Sequence, residues 1–306
     1  MPRPRSGSPA PERSAPEVAP YPHGLRRPPG RAEILALLER HGIEPSRALG
    51  QNFLIDPNVA ERIVRLAGVG PGDHVLEIGP GVGSLTVALA GAGAHVVAVE
   101  LDRHLLAALA EVTEGLTVDV VHADAMRADL AGILGDADTW TLVSNLPYNI
   151  ATPLVLQLLE RQPAVKQMVV MVQREVGERL AAAPRTPPYG AVSVRLAYFA
   201  TARTVMRVPP SVFVPRPKVE SVVVDIARRS SPAVPLRTAG YEEVDALVRA
   251  AFGQRRKMLR RTLAAVVSEP AFARAGIDSS CRPEELGVEQ WGQLAEARRA
   301  TESEAS

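Results

Sequence analysis

Residues 74–84 read His74-Val75-Leu76-Glu77-Ile78-Gly79-Pro80-Gly81-Val82-Gly83-Ser84. An apolar run, a glycine-rich turn and then Leu85-Thr86-Val87-Ala88-Leu89-Ala90 mark a strand that turns sharply into a helix. Glycine lets the backbone turn tightly and approach a ligand closely. A dinucleotide-binding turn carries the spacing G-x-G-x-x-G. Here the spacing is G-x-G-x-G, Ser84 follows directly, and an acid, Glu77, stands two places before the first glycine.

The same alternation continues outward. The patterns predict strands over residues 74–78, 94–99, 116–122 and 141–144, with helices over 84–90 and 103–112. Upstream, Ile34, Leu35, Leu37 and Leu38 have helical spacing from Arg31 to a stop at Gly42, and a loop carries residues 48–54. Asp56 caps a helix that has Pro57 in its first turn and runs to Gly68. Downstream, Thr152-Pro153 opens a helix to residue 160, 165–173 is strand-like, 174–182 helical and 219–227 a late strand. Strands alternating with helices imply an α/β fold with a mostly parallel sheet covered on both faces. A stretch rich in Ser, Pro and Arg at 228–240 breaks the pattern, and everything beyond reads as helix. There Val248, Phe252, Leu259, Leu263 and Val266 form one apolar stripe. The expected division is a disordered Pro/Arg-rich tail (1–30), a ligand-binding α/β domain (31–230), a helical domain (231–300) and a disordered end (301–306).

Composition bounds the function. The 306 residues carry 35 Lys+Arg against 34 Asp+Glu, a net charge of +1, which argues against gripping nucleic acid by charge alone. One cysteine, Cys281, excludes a disulfide framework and a multi-cysteine zinc site and suits a reducing compartment. The six histidines show no paired ligand spacing, so no metal is expected. The most apolar stretch, 85–99, is interrupted by glycines and His95 and is too short to span a bilayer. No apolar leader is read at the start, and a cytoplasmic monomer is expected.

The glycine turn resembles that of class I S-adenosylmethionine (SAM)-dependent methyltransferases, in which it takes an amino-acid moiety rather than a pyrophosphate. The neighbouring strand tips fit the same pattern. Glu100, directly after the apolar run 94–99, is placed to bind both hydroxyls of a ribose. Asp102 reads as a surface carboxylate that starts the next helix. Asp124, at the third tip, is placed to accept from the exocyclic amine of an adenine.

The fourth tip reads Ser144-Asn145-Leu146-Pro147-Tyr148-Asn149. It resembles the turn of methyltransferases that act on exocyclic amines of nucleobases. The lone pair of an adenine N6 is delocalised into the ring and is a poor nucleophile. Acceptors around that nitrogen hold its hydrogens and aim the lone pair. Asn145, through its side-chain oxygen, and Leu146, through its carbonyl, are the candidates. Pro147 shapes the turn, and Tyr148 offers a ring for the target base, a contact worth about 1–3 kcal/mol. The alternative is an Asn-Pro turn beside a core tyrosine. Phe213, in the proline-stiffened loop 208–221, is a second aromatic candidate, expected to stack on the opposite face of the base. Arg216 and Lys218 turn that loop toward nucleic acid.

Together these segments resemble the ribosomal RNA adenine N6-dimethyltransferase family, its small-subunit branch above all, over residues 48–291. The carriers are 49–54, 77–83, 99–102, 124–126, 145–150, 213–221 and Phe252-Gly253-Gln254-Arg255-Arg256-Lys257-Met258-Leu259-Arg260. The resemblance implies a Rossmann-like, mostly parallel seven-stranded sheet with a small all-helical C-terminal domain. It implies SAM contacts at Asn52, Leu54, Gly79, Glu100, Asp124 and Asn145. It implies two successive methylations on each of two neighbouring adenosines near the 3′ end of 16S rRNA in the small ribosomal subunit, alongside subunit biogenesis.

The segment 247–264 contains no acid, and Arg256/Arg260 and Lys257/Arg261 have i,i+4 spacing, so a single helix would present one strongly positive face. Arg255, Arg256, Lys257 and Arg260 are the expected RNA contacts there, with Arg216 and Lys218 on the loop. Two other readings stay open. One is a 23S rRNA methyltransferase of the macrolide-resistance type, against which stand Leu146 and the 254–260 run. The other is a non-catalytic assembly or transcription factor on the same scaffold. Residues 1–31 carry a net +4, 32–231 a net −3 and 232–306 a net of 0, so RNA affinity has to come from local placement rather than bulk charge.

Overall fold

The computed structural model describes residues 27–46, 49–234 and 239–304. Most of the expected N-terminal tail, part of the 228–240 break and residues 305–306 lie outside these. In chain order the strands are β1 (Phe53–Leu54), β2 (His74–Ile78), β3 (His95–Glu100), β4 (Val118–His122) and β5 (Trp140–Asn145). They continue with β6 (Val165–Gln173), β7 (Ala200–Val208), β8 (Phe213–Val214) and β9 (Ser221–Arg228). The helices of the α/β part are α1 (Arg31–Arg40), α2 (Pro57–Ala67), α3 (Ser84–Gly91), α4 (Leu106–Thr113), α5 (Leu130–Leu134), α6 (Ala151–Arg161), α7 (Arg174–Leu180) and α8 (Ala191–Phe199). Beyond them come α9 (Tyr241–Phe252), α10 (Leu259–Thr262), α11 (Glu269–Ala275) and α12 (Val288–Glu304).

Seven strands form one sheet in the order β4-β3-β2-β5-β6-β9-β7. The first five pair in parallel, and β9 runs antiparallel to both its neighbours. The chain builds outward from β2 to β4, then returns to β5 on the other side of β2. That reversal opens a crevice at the carboxyl ends of β2 and β5, where ligands bind in open α/β sheets. The opening is visible in the pairing. β2 matches β3 over its full length, from His74↔His95 to Ile78↔Val99, but matches β5 only at Val75↔Thr141 and Leu76↔Leu142. Past that point the buried Ser144 hydroxyl accepts from the Ile78 N–H at 2.8 Å, which satisfies a donor that the diverging strand leaves behind.

Consecutive strand residues point to opposite faces, and both faces are apolar. Leu76, Val97, Leu142, Val170 and Val224 pack on one side with Leu154 and Leu158 of α6. Val75, Val96, Val143, Val169 and Val223 pack on the other with Ile63 of α2 and Leu85 and Leu89 of α3. Helix α2 starts as expected: Asp56 accepts from the Asn58 N–H at 2.9 Å, and Gly68 ends it at φ +67°. A third core joins α9–α12 to the α/β part, with Val248, Leu259, Leu263, Phe272 and Trp291 against Tyr189, Val194 and Tyr198. Arg195 of α8 ties the same junction, reaching Glu160 of α6 at 2.9 Å and Asp245 of α9 at 3.0 Å.

The structure departs from the sequence reading in several places, among them α5 and the two-stranded pairing of β1 with β8, which were not expected. Helix α8 and strand β7 were not anticipated; they follow one another without a turn residue between them. The expected single basic helix over 247–264 is broken: α9 stops at Phe252, residues 253–256 form a turn, and α10 is one short helix. The stripe is therefore shared between two helices, and Val266 is 39% exposed while Val267 is buried. Residues 301–304, read as a loose end, complete α12.

Candidate active site

One cleft lies over the β2/β5 reversal. It encloses about 990 Å³, counted out to the solvent at its mouth. Its wall toward β2 and β3 carries the glycine turn, Glu77, Glu100, Leu101 and Asp124; its other wall is Asn145, Leu146, Pro147 and Tyr148; Gln51, Asn52 and Leu54 lie across it.

All three glycines of the turn have left-handed backbone, and at the first two a side chain would meet the cleft's own residues. Gly79 has φ +69°, and a Cβ there would stand 3.0 Å from Cγ of Pro147. Gly81 has φ +61°, and a Cβ would stand 3.0 Å from Cδ1 of Phe53. Any side chain would also meet the steric penalty of left-handed backbone. The first glycine therefore lets the two walls approach; the second lets the buried Phe53 ring support the turn from beneath.

The carboxylates behave differently from one another. Glu100 is 5% exposed; its Oε2 accepts from the Gly81 N–H at 3.1 Å and its Oε1 from the Asp102 N–H at 2.8 Å. Burial raises its pKa, and these backbone donors oppose the rise. Glu77 is 1% exposed, and its Oε2 has no hydrogen-bond partner. Burial lifts its pKa from 4.5 to about 8; Thr86 opposes the shift but makes no well-formed hydrogen bond, and the nearby Glu100 adds to it. Asp124 accepts from the Met126 N–H at 2.9 Å and keeps further acceptor capacity.

Asn145 ends β5 and donates from Nδ2 to the Asn52 carbonyl at 3.1 Å. Its amide nitrogen is thereby engaged, and Oδ1 is the end left to accept from a substrate amine. The buried Leu146 is fixed by its N–H to the Met171 carbonyl at 3.0 Å. Pro147 accepts from the Ile150 and Ala151 N–H groups, which closes the turn and starts α6. Tyr148 is half-buried, with its hydroxyl 3.4 Å from that of Ser221; burial raises its pKa, so the phenol stays neutral. Among the predicted contacts, Asn52 is held by Nδ2 to the Gly50 carbonyl at 3.0 Å, and the Leu54 carbonyl accepts from Ser84 at 2.6 Å.

Phe213 is a correction. It is 2% exposed, pairs with Leu54 across β1 and β8, and packs with Val208 and Val212 in the core beneath the cleft. Its ring does not line the cleft, because apolar burial here outweighs presentation on the loop. Arg216 and Lys218 are exposed on the loop that leads into Ser221, the residue beside Tyr148. Arg255 is not free for phosphate: its guanidinium pairs with Glu284 and donates to the Pro187 carbonyl at 3.0 Å. Arg256, Lys257 and Arg260 are exposed.

Gln51 and Glu77 line the cleft, although the sequence named them only within the segments 49–54 and 77–83 and gave them no role of their own. Asp102, read as a surface carboxylate, in fact accepts from the Gln51 amide at 2.8 Å.

The donor set fits SAM: a buried unpartnered carboxyl, a glycine cradle that any Cβ would fill, and acidic tips at β3 and β4. Fold and site define a class I SAM-dependent methyltransferase with a turn suited to an exocyclic amine. The chain belongs to the ribosomal RNA adenine dimethylase family, whose model matches residues 44–298. It is 46% identical over 276 residues to a ribosomal RNA small subunit methyltransferase A from Kineococcus radiotolerans, covering 87% of this chain and 90% of that one. Among solved structures it resembles a dimethyladenosine transferase from Plasmodium falciparum (TM-score 0.68, 25% identity, 79% of this chain and 95% of that one). It also resembles the 23S rRNA methyltransferase ErmE (TM-score 0.63, 28% identity, 81% of this chain and 100% of that one). Among the described residues no helix is long and apolar enough to cross a membrane.

Proposed function

We propose that this chain dimethylates the N6 amines of two neighbouring adenosines near the 3′ end of 16S rRNA, with the small ribosomal subunit as its substrate. The observation that carries the reading is the orientation of Asn145, locked by its Nδ2 onto Asn52 inside the cleft that also holds Glu100 and the glycine turn. SAM, when bound, supplies a methyl group on a positively charged sulfur. The protein contributes placement. Glu100 and Asp124 serve as acceptors for ribose hydroxyls and adenine amine. In the first transfer Asn145 Oδ1 and the Leu146 carbonyl hold the two hydrogens of the target N6 and turn its lone pair out of the ring; in the second, one of them holds the hydrogen that remains. Both acceptors also oppose the positive charge that develops on that nitrogen, where removal of one such dipole typically reduces rate by roughly 10²–10³-fold. Tyr148 stacks on the base, and the proton leaves to water after transfer.

The small subunit is favoured over 23S rRNA by the 46% identity to a small-subunit enzyme, against 28% to ErmE. Exposed Arg216, Lys218, Arg256, Lys257 and Arg260 serve as phosphate contacts, and the enzyme acts as a cytoplasmic monomer. The test offers the protein and SAM both undermethylated small subunits and naked 23S rRNA. Dimethyladenosine in 16S rRNA alone supports the reading; methylation of 23S rRNA in preference overturns it.

A further inference from the structure

The two walls of the cleft are joined by a short chain of hydrogen bonds that runs through Gln51. On the cofactor side, Gln51 Nε2 donates to Asp102 Oδ2 at 2.8 Å. Asp102 is itself fixed: its other carboxylate oxygen accepts from the His104 N–H at 3.0 Å, and its own N–H donates to Glu100 Oε1 at 2.8 Å. At the other end of the same side chain, Gln51 Oε1 accepts from the Ser46 N–H at 2.7 Å. One residue further on, the Asn52 carbonyl takes the Asn145 amide, and Gly50 packs against the backbone nitrogen of Tyr148, to which a Cβ would come within 3.4 Å. Glu100 and Asn145, the acceptors for ribose and for target amine, are thus linked through one amide side chain.

We propose that Gln51 is a positioning residue: held by Asp102, it places the Asn52 carbonyl so that Asn145 presents Oδ1 to the substrate. An Asn145 amide without that carbonyl is free to rotate and offer a donor where an acceptor is needed. The inference rests on the amine-methylating reading of Asn145. The hydrogen bond is charge-assisted and part-buried, so its loss is felt well above the level of an exposed contact.

The partners can be exchanged. Gln51→Glu keeps the acceptor for Ser46 but removes the donor to Asp102 and sets two carboxylates together. Asp102→Asn alone keeps charge repulsion out but lets two amides meet without a fixed polarity. The double variant Gln51→Glu/Asp102→Asn restores a donor–acceptor pair with its direction reversed and the net charge kept. The full-length chain is assayed on undermethylated small subunits for kcat and KM, with S-adenosylhomocysteine affinity and the thermal midpoint of the ligand-free protein measured in parallel. The expected result for Gln51→Glu is a fall in kcat of roughly tenfold or more, from removal of a charge-assisted bond. KM for the subunit is unchanged, the thermal midpoint stays within about 3 °C, and the double variant recovers kcat to near wild type. Adding Asn145→Ala to Gln51→Glu is expected to give no further loss beyond Asn145→Ala alone. A double variant no better than Gln51→Glu, or losses that multiply with Asn145→Ala, overturns the proposal. If the wild-type protein methylates nothing, the functional reading fails and the positioning claim falls with it; a wild type that methylates, beside a double variant that does not recover, overturns the positioning claim alone.

Discussion

Replacing Glu77 by glutamine removes one ionisable group from the floor of the cleft and leaves its shape nearly unchanged. The structure sets the size of the effect. Glu77 is buried, one of its oxygens is unpartnered, and its pKa rises from 4.5 to about 8. Between those values the folded protein holds a proton that the unfolded chain has released. Stability therefore falls as pH rises from about 4.5 to about 8 and is level above that. The full difference corresponds to about 5 kcal/mol, a ceiling that relaxation and water entry reduce. The Glu77→Gln protein lacks this slope, so the two midpoints are expected to be similar near pH 5 and to diverge by pH 8.5. The variant becomes the more stable by up to on the order of 10 °C. Differential scanning calorimetry of ligand-free protein and of the variant across that range reads the effect. A gap that does not change with pH refutes the reasoning. The same group couples to ligand: a cation bound beside Glu77 favours its anion. SAM binding at pH 7 should then release a proton, seen as buffer-dependent heat, and the release should be absent in the variant.

Three further outcomes follow from the geometry. Asn145→Ala removes the side-chain acceptor at the target amine and should lower kcat by roughly 10²-fold or more while small-subunit binding, read by co-sedimentation, is retained. Gly81→Ala forces a side chain into left-handed backbone against the Phe53 ring; a left-handed alanine alone costs about 1–2 kcal/mol, so the thermal midpoint of the ligand-free protein should fall by roughly 2–8 °C. Neutralising Arg256, Lys257 and Arg260 together should weaken subunit binding and flatten its salt dependence by about 0.7–0.9 in log–log slope for each phosphate no longer neutralised; an unchanged slope would place the RNA elsewhere.

The parts of the fold legible in the sequence were those with a local cause. Gly79, Gly81 and Gly83 all have positive φ, so the turn could be read from residue type alone. The central strands were legible because unbroken apolar runs, 96–99 and 168–172, mark a sheet buried on both faces. Helix α8 and strand β7 were not, because Phe199 leads directly into Ala200 with no glycine or proline between them. The break between α9 and α10 was hidden by chance spacing. Val248, Leu259 and Leu263 are all buried, but α9 supplies the first and the other two lie beyond the turns. Arg255 looked like one of several free cations because its partner, Glu284, lies 29 residues away. The Gln51–Asp102 bond spans 51 residues and leaves no periodic trace. Phe213 shows the opposite failure: a proline-rich loop looked like a display surface, but its aromatic ring found a core.

The most direct measurement is a map of modified bases in ribosomal RNA from cells that lack this protein, complemented by wild type or by Asn145→Ala. The account expects the two neighbouring adenosines near the 3′ end of 16S rRNA to lose both N6 methyl groups, and only the wild-type chain to restore them. Full dimethylation of those adenosines in the absence of the protein, or a loss confined to 23S rRNA, would contradict it.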